Sequence, residues 1–558
     1  MKYNILVGGA AGQGIDTLST LLERILKRKG YFLHSSKDYM SRVRGGHNFI
    51  QIRFGTEPVY SHWPVLNIII ALDRQTVDLH RERLEEDGVI LCDESIEVED
   101  SRVQHIPVAR IAKETNNSMA AGPAAVGAVL RILGVSTDFA EEAFNWKFKE
   151  KNAVSNFTAF VKGYEAAKEI FDIDKPAEDK HIIINGNEAV ALGALAGGVG
   201  FFAAYPMTPA TSIMKQLSVR QEDAGIVVEQ VEDEISAVNM ALGASYAGVR
   251  SMTATSGGGF ALMVEGLSLQ GIMEIPLVVV NSQRPGPSTG IATRTEQSDL
   301  DFVLTAGHGE FPRMVIALRC PEDCFYQTAR ALNIADKYNM LVILLTDQYL
   351  ADSAVTIPPY DFGKVTIDSC IMPPEELSSD TFKSYKLTES GISPRIIPGG
   401  TEGVISLADS HEHNEYGHIS ESAEVRNAMM SKRMKKLEGL FEELQEPEFF
   451  GDKSPGLLLV GWGSMYGPLR EAIELLQKDG ISAGALVFGD LYPFPSKLLK
   501  TYAGSANKLV NVEQNYTGQL ARLIRQETGF SMDHSILNYD GRQMCAYTIY
   551  KRVKKEVL

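Results

Sequence analysis

Length, composition and charge indicate a multidomain globular protein. The chain has 558 residues, of which 44% are hydrophobic and 22% are charged, and this length predicts about three or four domains with sizeable cores. The formal net charge of -17 argues against nucleic acid as a partner, because its phosphates require a basic surface. No stretch approaches the roughly 20 apolar residues of a membrane helix, and the first apolar run is too short for a secretory signal. We therefore expect a soluble cytoplasmic protein with no membrane partner.

The residues that commonly bind metals are scattered. The cysteines are Cys92, Cys320, Cys324, Cys370 and Cys545. An iron–sulfur cluster generally requires four thiolates at characteristic spacing, and an odd number of free thiols fits a reducing compartment. His411, His413 and His418 lack a further ligand at a defined spacing, so they indicate a metal site only weakly. We predict neither a metal nor a cluster on this chain.

The first segment, residues 1–175, is predicted to be an α/β domain. A strand at 5–7 runs into the glycines of 8–14, and a helical pattern follows from Ile15 to Lys29. A strand that turns through glycines into a helix can bind an anion, because free backbone N–H groups point at the ligand. The spacing of Gly9, Gly12 and Gly14 matches neither the dinucleotide nor the Walker motif. An ordinary tight turn therefore remains an alternative to a phosphate site.

A charged linker at 172–180 leads to a second domain at 181–352. Its apolar runs alternate with helical patterns, which predicts a parallel sheet with helices on both faces. We expect helices at 186–198 and 209–219 and from Glu234, and strands at 199–204, 226–228, 250–254, 276–280 and 340–345.

Three polar motifs in this domain follow predicted strands. They are the segment Tyr-Pro-Met-Thr-Pro at 205–209, the segment beginning Val-Glu-Asp-Glu at 231–240, and the loop at 281–297. Ligands of open α/β sheets lie at the carboxyl ends of the strands. We therefore expect the three motifs to meet in one crevice.

Two interpretations of the acids in the second motif remain open. Glu232, Asp233 and Glu234 precede or begin a helix, where each would stabilise the helix dipole by about 0.3 to 1 kcal/mol. The alternative is that Glu234 carries chemistry. The run Ser256-Gly257-Gly258-Gly259 is equally ambiguous, since glycines at a strand end suit either a flat ring or a tight turn.

Residues 353–450 are polar and rich in Pro and Glu, and we interpret them as a connector. The charged helix predicted at 429–444 is expected to be solvated or to face another subunit. Residues 451–558 restart the α/β pattern, with strands expected at 457–460 and 485–488.

The order of the motifs resembles the 2-oxoacid:ferredoxin oxidoreductases, a thiamine diphosphate family. The segment 205–209 is similar to the YPITP signature of their pyrimidine-binding domain, with Met for Ile. The helix from Glu234 resembles their catalytic-glutamate helix, and Arg284 with residues 286–290 and 295–300 is similar to the substrate loop of the 2-oxoglutarate branch. Three ordered motifs within about a hundred residues are more specific than any one alone.

The resemblance extends to both ends of the chain. Residues 1–175, with Ser-Arg-Val-Arg-Gly-Gly at 41–46, resemble the gamma subunit of these enzymes, fused ahead of the alpha subunit. Residues 451–558, with the segments 490–495 and 512–519, resemble the transketolase C-terminal-like domain. The predicted fold is α/β, with three doubly wound parallel-sheet domains: gamma-type, pyrimidine-binding and transketolase C-terminal-like.

The resemblance implies roles for particular residues. Glu234 would be the catalytic acid against the pyrimidine ring, and Arg284 would hold the substrate carboxylate through a bidentate contact. Further substrate contacts are implied for Thr208, Thr293 and Arg294. The implied pyrimidine pocket is Tyr205, Pro206, Ser256, Gly257 and Gly258, and the implied coenzyme A contacts are Gly12, Gln13, Gly14 and Arg44, with Arg42 and His47 as further candidates.

The implied reaction is the oxidative decarboxylation of 2-oxoglutarate with coenzyme A to succinyl-CoA, CO2 and reduced ferredoxin. The chain lacks the Gly-Asp-Gly and later Asn that hold Mg²⁺ and the diphosphate in thiamine enzymes. A separate beta subunit is therefore expected to supply these ligands and a [4Fe-4S] cluster, in an (alpha-beta)2 complex that reduces ferredoxin.

Other functions remain open. Pyruvate, branched-chain or aryl 2-oxoacids would undergo the same chemistry, and Pro285 and Ile291-Ala292 depart from the family's usual loop, which makes substrate length the least secure inference. A chain that only binds coenzyme A or a nucleotide as a structural subunit is an alternative of another class. A dinucleotide dehydrogenase is a third, supported by the N-terminal glycines alone.

Overall fold

The computed structural model describes residues 2–41, 46–177, 180–377 and 382–558. In chain order the strands found there are β1 (Lys2–Ala10), β2 (Phe32–Asp38), β3 (His47–Gly55), β4 (Leu66–Ala71), β5 (Leu84–Asp93), β6 (Val103–Ile106), β7 (Ile182–Asn185), β8 (Phe201–Ala204), β9 (Val227–Gln230), β10 (Ser251–Thr255), β11 (Leu277–Gln283), β12 (Arg313–Ala317), β13 (Leu341–Asp347), β14 (Ala354–Ile357), β15 (Glu448–Gly451), β16 (Leu457–Trp462), β17 (Ala483–Phe488), β18 (Asp490–Tyr492), β19 (Lys508–Glu513) and β20 (His534–Leu537).

The helices of the same residues alternate with these strands over most of the chain. They are α1 (Ile15–Arg28), α2 (Arg74–His80), α3 (Val108–Glu114), α4 (Ala121–Ile132), α5 (Ala140–Lys147), α6 (Glu150–Ala166), α7 (Gly186–Ala196), α8 (Thr211–Ser218), α9 (Gln221–Ala224), α10 (Glu234–Tyr246), α11 (Gly257–Met273), α12 (Leu300–Thr305), α13 (Pro321–Tyr338), α14 (Gln348–Asp352), α15 (Ala423–Leu440), α16 (Tyr466–Lys478), α17 (Lys497–Ala503), α18 (Gln519–Thr528) and α19 (Ala546–Arg552).

The chain divides into two compact units. Unit 1 contains residues 1–185, 352–359 and 545–548, and unit 2 contains the remainder. The sheet of unit 1 has the strand order β6-β5-β4-β1-β3-β2-β14-β7. Strands β1, β4, β5 and β6 are parallel, whereas β1, β3, β2, β14 and β7 pair in antiparallel fashion. Half of this sheet therefore departs from the purely parallel arrangement predicted from the sequence.

The core of unit 1 explains why its segments fold together. Helix α1 buries Leu18, Leu21, Leu22 and Ile25 against apolar residues of the sheet such as Ile52. These helical residues recur at spacings of three and four, so they form one apolar stripe that must be covered. The helix predicted from the apolar pattern of 15–29 is therefore present as α1.

Unit 2 contains two sheets. The larger has the order β18-β12-β13-β11-β10-β8-β9, and it is parallel except for β18. The smaller has the order β15-β17-β16-β19-β20, and it is parallel except for β15. One apolar core contains residues from both, including Val279 and Ile343 of the larger sheet and Val460 and Leu486 of the smaller. The predicted α/β fold class is confirmed.

The polar connector contains buried charge. Lys432 and Lys436 of α15 lie 2.7 and 2.5 Å from the carboxylate of Glu274, and all three side chains are buried. Burial lowers the pKa of Lys436 to about 8, although the negative charge of Glu274 opposes this shift. The expectation of a solvated or subunit-facing helix was wrong for this face, because a buried carboxylate must be paired.

Of the connector histidines, His413 is buried and serves packing, whereas His411 and His418 are exposed. The ring of His413 lies against Tyr385 with 3.8 Å between centroids, and its Nδ1 lies 3.0 Å from the carbonyl oxygen of His411. Within the described ranges, no group of three or more His, Cys, Asp or Glu side chains is placed to hold a metal ion.

None of the helices described here is long and apolar enough to span a lipid bilayer.

Candidate active site

The three sequence motifs lie at the same edge of the larger sheet of unit 2. The segment 205–209 follows β8, Glu234 follows β9, and the loop from Arg284 follows β11. The glycine run that begins α11 follows the intervening strand β10. Since these strands are parallel neighbours, their carboxyl ends form one crevice. The placement follows from the strand order β11-β10-β8-β9.

The side chain of Glu234 is buried at the start of α10. It is 2% exposed, and the Thr255 hydroxyl donates a hydrogen bond to its Oε1 over a long 3.5 Å. A Cβ atom at Gly259 would overlap both Glu234 Oε1 and Thr255 Oγ1. Only glycine at this position therefore leaves room for the carboxylate. Among the described residues this long contact is the hydrogen bond that the carboxylate receives, and a buried carboxylate with so little support costs stability.

The three adjacent acids have different environments. Glu232 is exposed and Glu234 is buried, while Asp233 caps α10 by accepting a hydrogen bond from the backbone N–H of Ser236 at 2.7 Å. This hydrogen bond lowers the pKa of Asp233. Capping is the ordinary role of an acid at a helix start, and Asp233 already performs it. The helix dipole does not account for the inward orientation of Glu234.

A Gly259→Ala substitution should displace the Glu234 carboxylate. We expect it to lower stability by roughly 1 to 3 kcal/mol, as overpacking of a core does, and to reduce the activity of the assembled enzyme. Gly243→Ala in α10 is the matched control, because its added Cβ meets no atom within 4 Å. Thermal unfolding and turnover would be measured for both variants. Equal stability and activity of the two would contradict this description of the site.

The start of α11 offers polar atoms without partners. Ser256 Oγ and Asn281 Oδ1 are buried and have no hydrogen-bond partner within the described part of the chain. The Asn281 amide donates to Asp299 Oδ2 at 3.0 Å, and that oxygen lies 2.6 Å from where a Cβ of Gly257 would be. Gly258 faces open space, with no atom within 4 Å of its Cβ position. Unpartnered polar atoms beside an open glycine suit a flat heterocycle with its own donors and acceptors.

Arg284 and Thr208 are brought together across the crevice. The Arg284 Nη1 donates to the backbone carbonyl of Thr208 at 2.6 Å, so Thr208 contributes its main chain to this contact. The buried Asn187 holds the same loop, because its amide donates to the Pro209 carbonyl at 2.8 Å and to Ser212 Oγ at 2.7 Å. Partial burial lowers the pKa of Arg284, and the charge of Asp299 opposes the shift.

The other predicted residues have varied positions. Tyr205 is 40% exposed and Pro206 is half-buried. Thr293 is buried, and its carbonyl accepts a hydrogen bond from Arg294 Nη1 at 3.2 Å. Arg294 lies against Gly541, a residue of the C-terminal segment. Neither Thr293 nor Arg294 contacts Glu234 in the described hydrogen bonds.

A second acid lies next to this crevice. Burial is the main cause that raises the pKa of Glu296 to about 7, and the negative charge of the nearby Asp299 contributes to the same rise. Burial also raises the pKa of Asp299, although the Asn281 amide and Arg284 lower it. The Arg284 side of the crevice thus holds two carboxyl groups that resist ionisation together.

Replacing Glu296 with glutamine should change how stability depends on pH. The pKa of about 7 in the folded chain lies above the ordinary value of 4.5, so the folded state holds the proton between these values and loses stability as the pH rises. Glutamine does not titrate. The variant should therefore gain in Tm relative to the unmodified chain between about pH 5 and about pH 8. A Tm difference that is the same at both pH values would contradict the shift.

The glycine loop of unit 1 borders a cavity. Gly12 and Gly14 line a space of about 500 Å³ with Lys37, whose Nζ pairs with Asp16 at 3.1 Å. The Gln13 side chain is used within the loop, because its Oε1 accepts the Ala10 N–H at 2.7 Å. Arg42 and Arg44 lie outside the described residues.

His47 is not placed as a phosphate contact would require. It is buried, and its Nε2 lies 2.8 Å from Nε2 of His80. Burial lowers the pKa of both imidazoles, that of His80 to about 3. A neutral, enclosed histidine does not suit a phosphate contact, so the structure does not support His47 as a coenzyme A contact.

Several residues that build the site had no specific role predicted from the sequence. Thr255 and Gly259 contact Glu234, Asn187 holds the 205–209 loop, and Gln283 accepts the backbone N–H of Asp299 at 3.0 Å. Asn281 and Asp299 belong to the segments 281–297 and 295–300 noted in the sequence, but no role was predicted for either residue. The third glycine of 257–259 was the available signal for a close approach, whereas nothing in the sequence near Asn187 pointed to the crevice.

Fold and site together define a class. A parallel sheet that carries a buried glutamate at one helix start and open glycines with unpartnered polar atoms at the next has the features of a cofactor-binding enzyme domain.

Comparison with known proteins identifies the family. Residues 192–432 match the family described as "Pyruvate flavodoxin/ferredoxin oxidoreductase, thiamine diP-bdg", and residues 4–166 and 456–548 match "Pyruvate ferredoxin/flavodoxin oxidoreductase" and "Pyruvate:ferredoxin oxidoreductase core domain II". The chain is 33% identical to the 2-oxoacid:ferredoxin oxidoreductase subunit alpha of Sulfolobus sp over 97% of this chain and 95% of that one. It is 36% identical to the 2-oxoglutarate oxidoreductase subunit KorA of Mycobacterium tuberculosis over 61% of this chain and 52% of the relative.

A solved structure matches the whole chain. The 2-oxoglutarate:ferredoxin oxidoreductase from Magnetococcus marinus, solved with 2-oxoglutarate, coenzyme A and succinyl-CoA bound, covers 100% of both chains at a TM-score of 0.93 and 32% identity. This chain therefore belongs to the 2-oxoacid:ferredoxin oxidoreductase alpha-subunit family, whose members are subunits of an oxidoreductase complex. The family resemblance drawn from the sequence motifs is confirmed.

Proposed function

We propose that this chain, with a beta subunit, catalyses the oxidative decarboxylation of 2-oxoglutarate with coenzyme A to succinyl-CoA, CO2 and reduced ferredoxin. The observation that carries the proposal is the buried carboxylate of Glu234 beside Gly259, close to the Ser256 hydroxyl, which has no hydrogen-bond partner among the described residues. The full-length match to a structure solved with 2-oxoglutarate and succinyl-CoA supports the substrate.

The residues present fit thiamine diphosphate. Glu234 would share a proton with the pyrimidine ring nitrogen, and the open face of Gly258 and the Ser256 hydroxyl would accommodate the ring and its amine. When bound, the cofactor supplies the electron sink that decarboxylation of a 2-oxoacid requires. Glu234 would move the proton, and Tyr205 and Pro206 would close the rim of the pocket.

Arg284 would bind the substrate carboxylate. A guanidinium presents two parallel N–H donors to a carboxylate, which fixes its orientation as well as its charge. Because one Arg284 nitrogen already donates to the Thr208 carbonyl, the planar group is oriented before the substrate arrives. Thr208, Thr293 and Arg294 complete the proposed substrate-binding set.

The partner subunit is proposed from what the chain lacks. The sequence contains no Gly-Asp-Gly followed by Asn and no set of cluster cysteines, so Mg²⁺, the diphosphate contacts and the [4Fe-4S] cluster are assigned to the beta subunit. We propose an (alpha-beta)2 complex that passes electrons to ferredoxin.

Substrate profiling tests the proposal. The chain would be expressed with its beta subunit, and CoA-dependent reduction of a low-potential acceptor would be measured with 2-oxoglutarate, pyruvate, branched-chain and aryl 2-oxoacids. We expect the highest kcat/KM with 2-oxoglutarate and no turnover by this chain alone. Pyruvate is the second candidate, because the matching families are described by that substrate. A higher kcat/KM with pyruvate would favour it, and turnover without a partner would contradict the shared site.

Coenzyme A is proposed to contact the glycine loop of unit 1. Gly12 and Gly14 border the cavity next to the start of α1, where free N–H groups suit a phosphate. The proposed contacts are Gly12, Gln13, Gly14 and Arg44. Arg44→Ala should raise the KM for coenzyme A by about tenfold, as the loss of one charged hydrogen bond does, and leave the KM for the 2-oxoacid unchanged. An unchanged KM for coenzyme A would remove Arg44 from the set.

A further inference from the structure

The loop that follows Arg284 is exposed at its tip and buried at its base. Residues 286–291 are exposed, whereas Thr293, Thr295 and Gln297 are buried. The base carries Asp299 to the start of α11, where its carboxylate meets Asn281 and the space beside Gly257. The position of the base therefore decides where the Asp299 charge lies relative to Arg284.

Gln297 joins this base to the smaller sheet of unit 2. It is 1% exposed, and its Nε2 donates to the Trp462 carbonyl at 2.9 Å. Its Oε1 accepts the Gln514 N–H at 3.2 Å, its own N–H donates to the Gln514 carbonyl at 2.7 Å, and its carbonyl accepts from Asn515 Nδ2 at 3.0 Å. Main chain and side chain are thus both bound to the same opposing loop.

The opposing loop is itself held by one buried acid. Glu513 is fully buried and accepts hydrogen bonds from Trp462 Nε1 at 3.1 Å and from Asn515 Nδ2 at 2.9 Å. It also accepts the backbone N–H groups of Leu520 and Ala521 at the start of α18. Two of the groups that bind Gln297 are therefore fixed by one carboxylate with many donors, an arrangement that makes a buried charge stable.

Neighbouring contacts extend the same connection. Gln519 donates to the Ser298 carbonyl at 2.8 Å and accepts the Asp301 N–H at 3.1 Å. Thr295 donates to the Gly541 carbonyl and, through its hydroxyl, to Asp347. We propose that Gln297 is a positioning residue, through which the smaller sheet of unit 2 holds the loop after Arg284 in the geometry that binds the 2-oxoacid. The expected change in KM rests on the proposed function, whereas the expected change in hydrogen exchange does not.

Substitution in the assembled complex tests the inference. Gln297→Leu removes both side-chain hydrogen bonds at similar volume, and Asn515→Leu removes the bond to the Gln297 carbonyl. We expect Gln297→Leu to raise the KM for the 2-oxoacid by about tenfold and to speed amide hydrogen exchange in residues 285–301. The effects of Gln297→Leu and Asn515→Leu on KM should be less than additive, because both act on one contact.

A matched control separates positioning from general destabilisation. Gln327 is a buried glutamine of α13 that donates to Gln445 at 2.7 Å, and none of its described hydrogen bonds reaches residues 285–301. Gln327→Leu should lower Tm without changing the KM or the exchange of 285–301. If Gln297→Leu behaves like this control, the inference is overturned. If the unmodified complex shows no 2-oxoacid turnover, the proposed function fails, and unchanged exchange in 285–301 then decides against the inference by itself.

Discussion

Replacing Glu234 with glutamine in the assembled enzyme is expected to lower 2-oxoacid turnover by about 10³-fold, within the range attributed to general acid–base groups. Glutamine has nearly the same volume and still accepts from Thr255, so the fold of α10 should be retained. It cannot exchange a proton with a ring nitrogen as a carboxyl group does. Steady-state kinetics with the beta subunit present, together with the mass of the complex, would measure the effect.

The control for this variant lies two residues away. Glu232 is exposed in the same loop, so Glu232→Gln makes the same chemical change without touching the crevice and should leave turnover near normal. Near-normal turnover by Glu234→Gln in an intact complex would support the alternative in which the chain is a structural subunit that binds coenzyme A or a nucleotide.

Replacing Arg284 with alanine is expected to reduce kcat/KM for the 2-oxoacid by roughly 100-fold, as the loss of charge-assisted hydrogen bonds to a carboxylate predicts. The loss should fall mainly on KM, because the contact is made with the bound substrate as well as later in the reaction. Arg284→Lys should recover little, since an ammonium group cannot present two parallel donors. The KM for coenzyme A should not change.

Arg220 offers the comparison for Arg284. It is a partly buried arginine whose Nη1 donates to the Gln216 carbonyl at 2.9 Å, and it has no described contact with the crevice. Arg220→Ala should lower stability modestly and leave the KM for the 2-oxoacid in place. If both alanine variants raise that KM equally, Arg284 does not bind the substrate carboxylate.

The parallel part of the fold was predictable because its signals are local. Buried parallel strands such as β11 and β13 are continuous apolar runs, and glycines or acids mark the helix starts that follow them. The antiparallel strands β2 and β3 and the pairing of β14 with β2 and β7 were missed. Strand β14 reaches unit 1 from a position more than 300 residues beyond β2, and no local pattern records such a partner.

The charged helix α15 shows where pattern reasoning fails. Its lysines predict a solvated face, yet Lys432 and Lys436 are buried because Glu274, at the end of α11, receives both ammonium groups. A buried ion pair depends on the geometry of its partners, and Glu274 lies about 160 residues away in sequence. Composition alone could not reveal the pairing.

The candidate site was predicted in outline. The sequence motifs led to Glu234, Arg284 and the glycines of 257–258, and the structure places them at one sheet edge. The sequence could not show that Thr208 offers its carbonyl to Arg284. Nor could it show that Gln297 is bound by Trp462, Gln514 and Asn515. These contacts join segments far apart in the chain, so they depend on packing that only the folded structure specifies.

A structure of this chain with its beta subunit and thiamine diphosphate would test the role of Glu234 directly. The measured quantity is the distance from the Glu234 carboxylate to the nearest pyrimidine ring nitrogen. We predict a hydrogen bond, at about 2.6 to 3.2 Å, with Gly259 packed behind the carboxylate. A Glu234 side chain turned to solvent, or separated from every ring nitrogen by more than a water molecule, would contradict it.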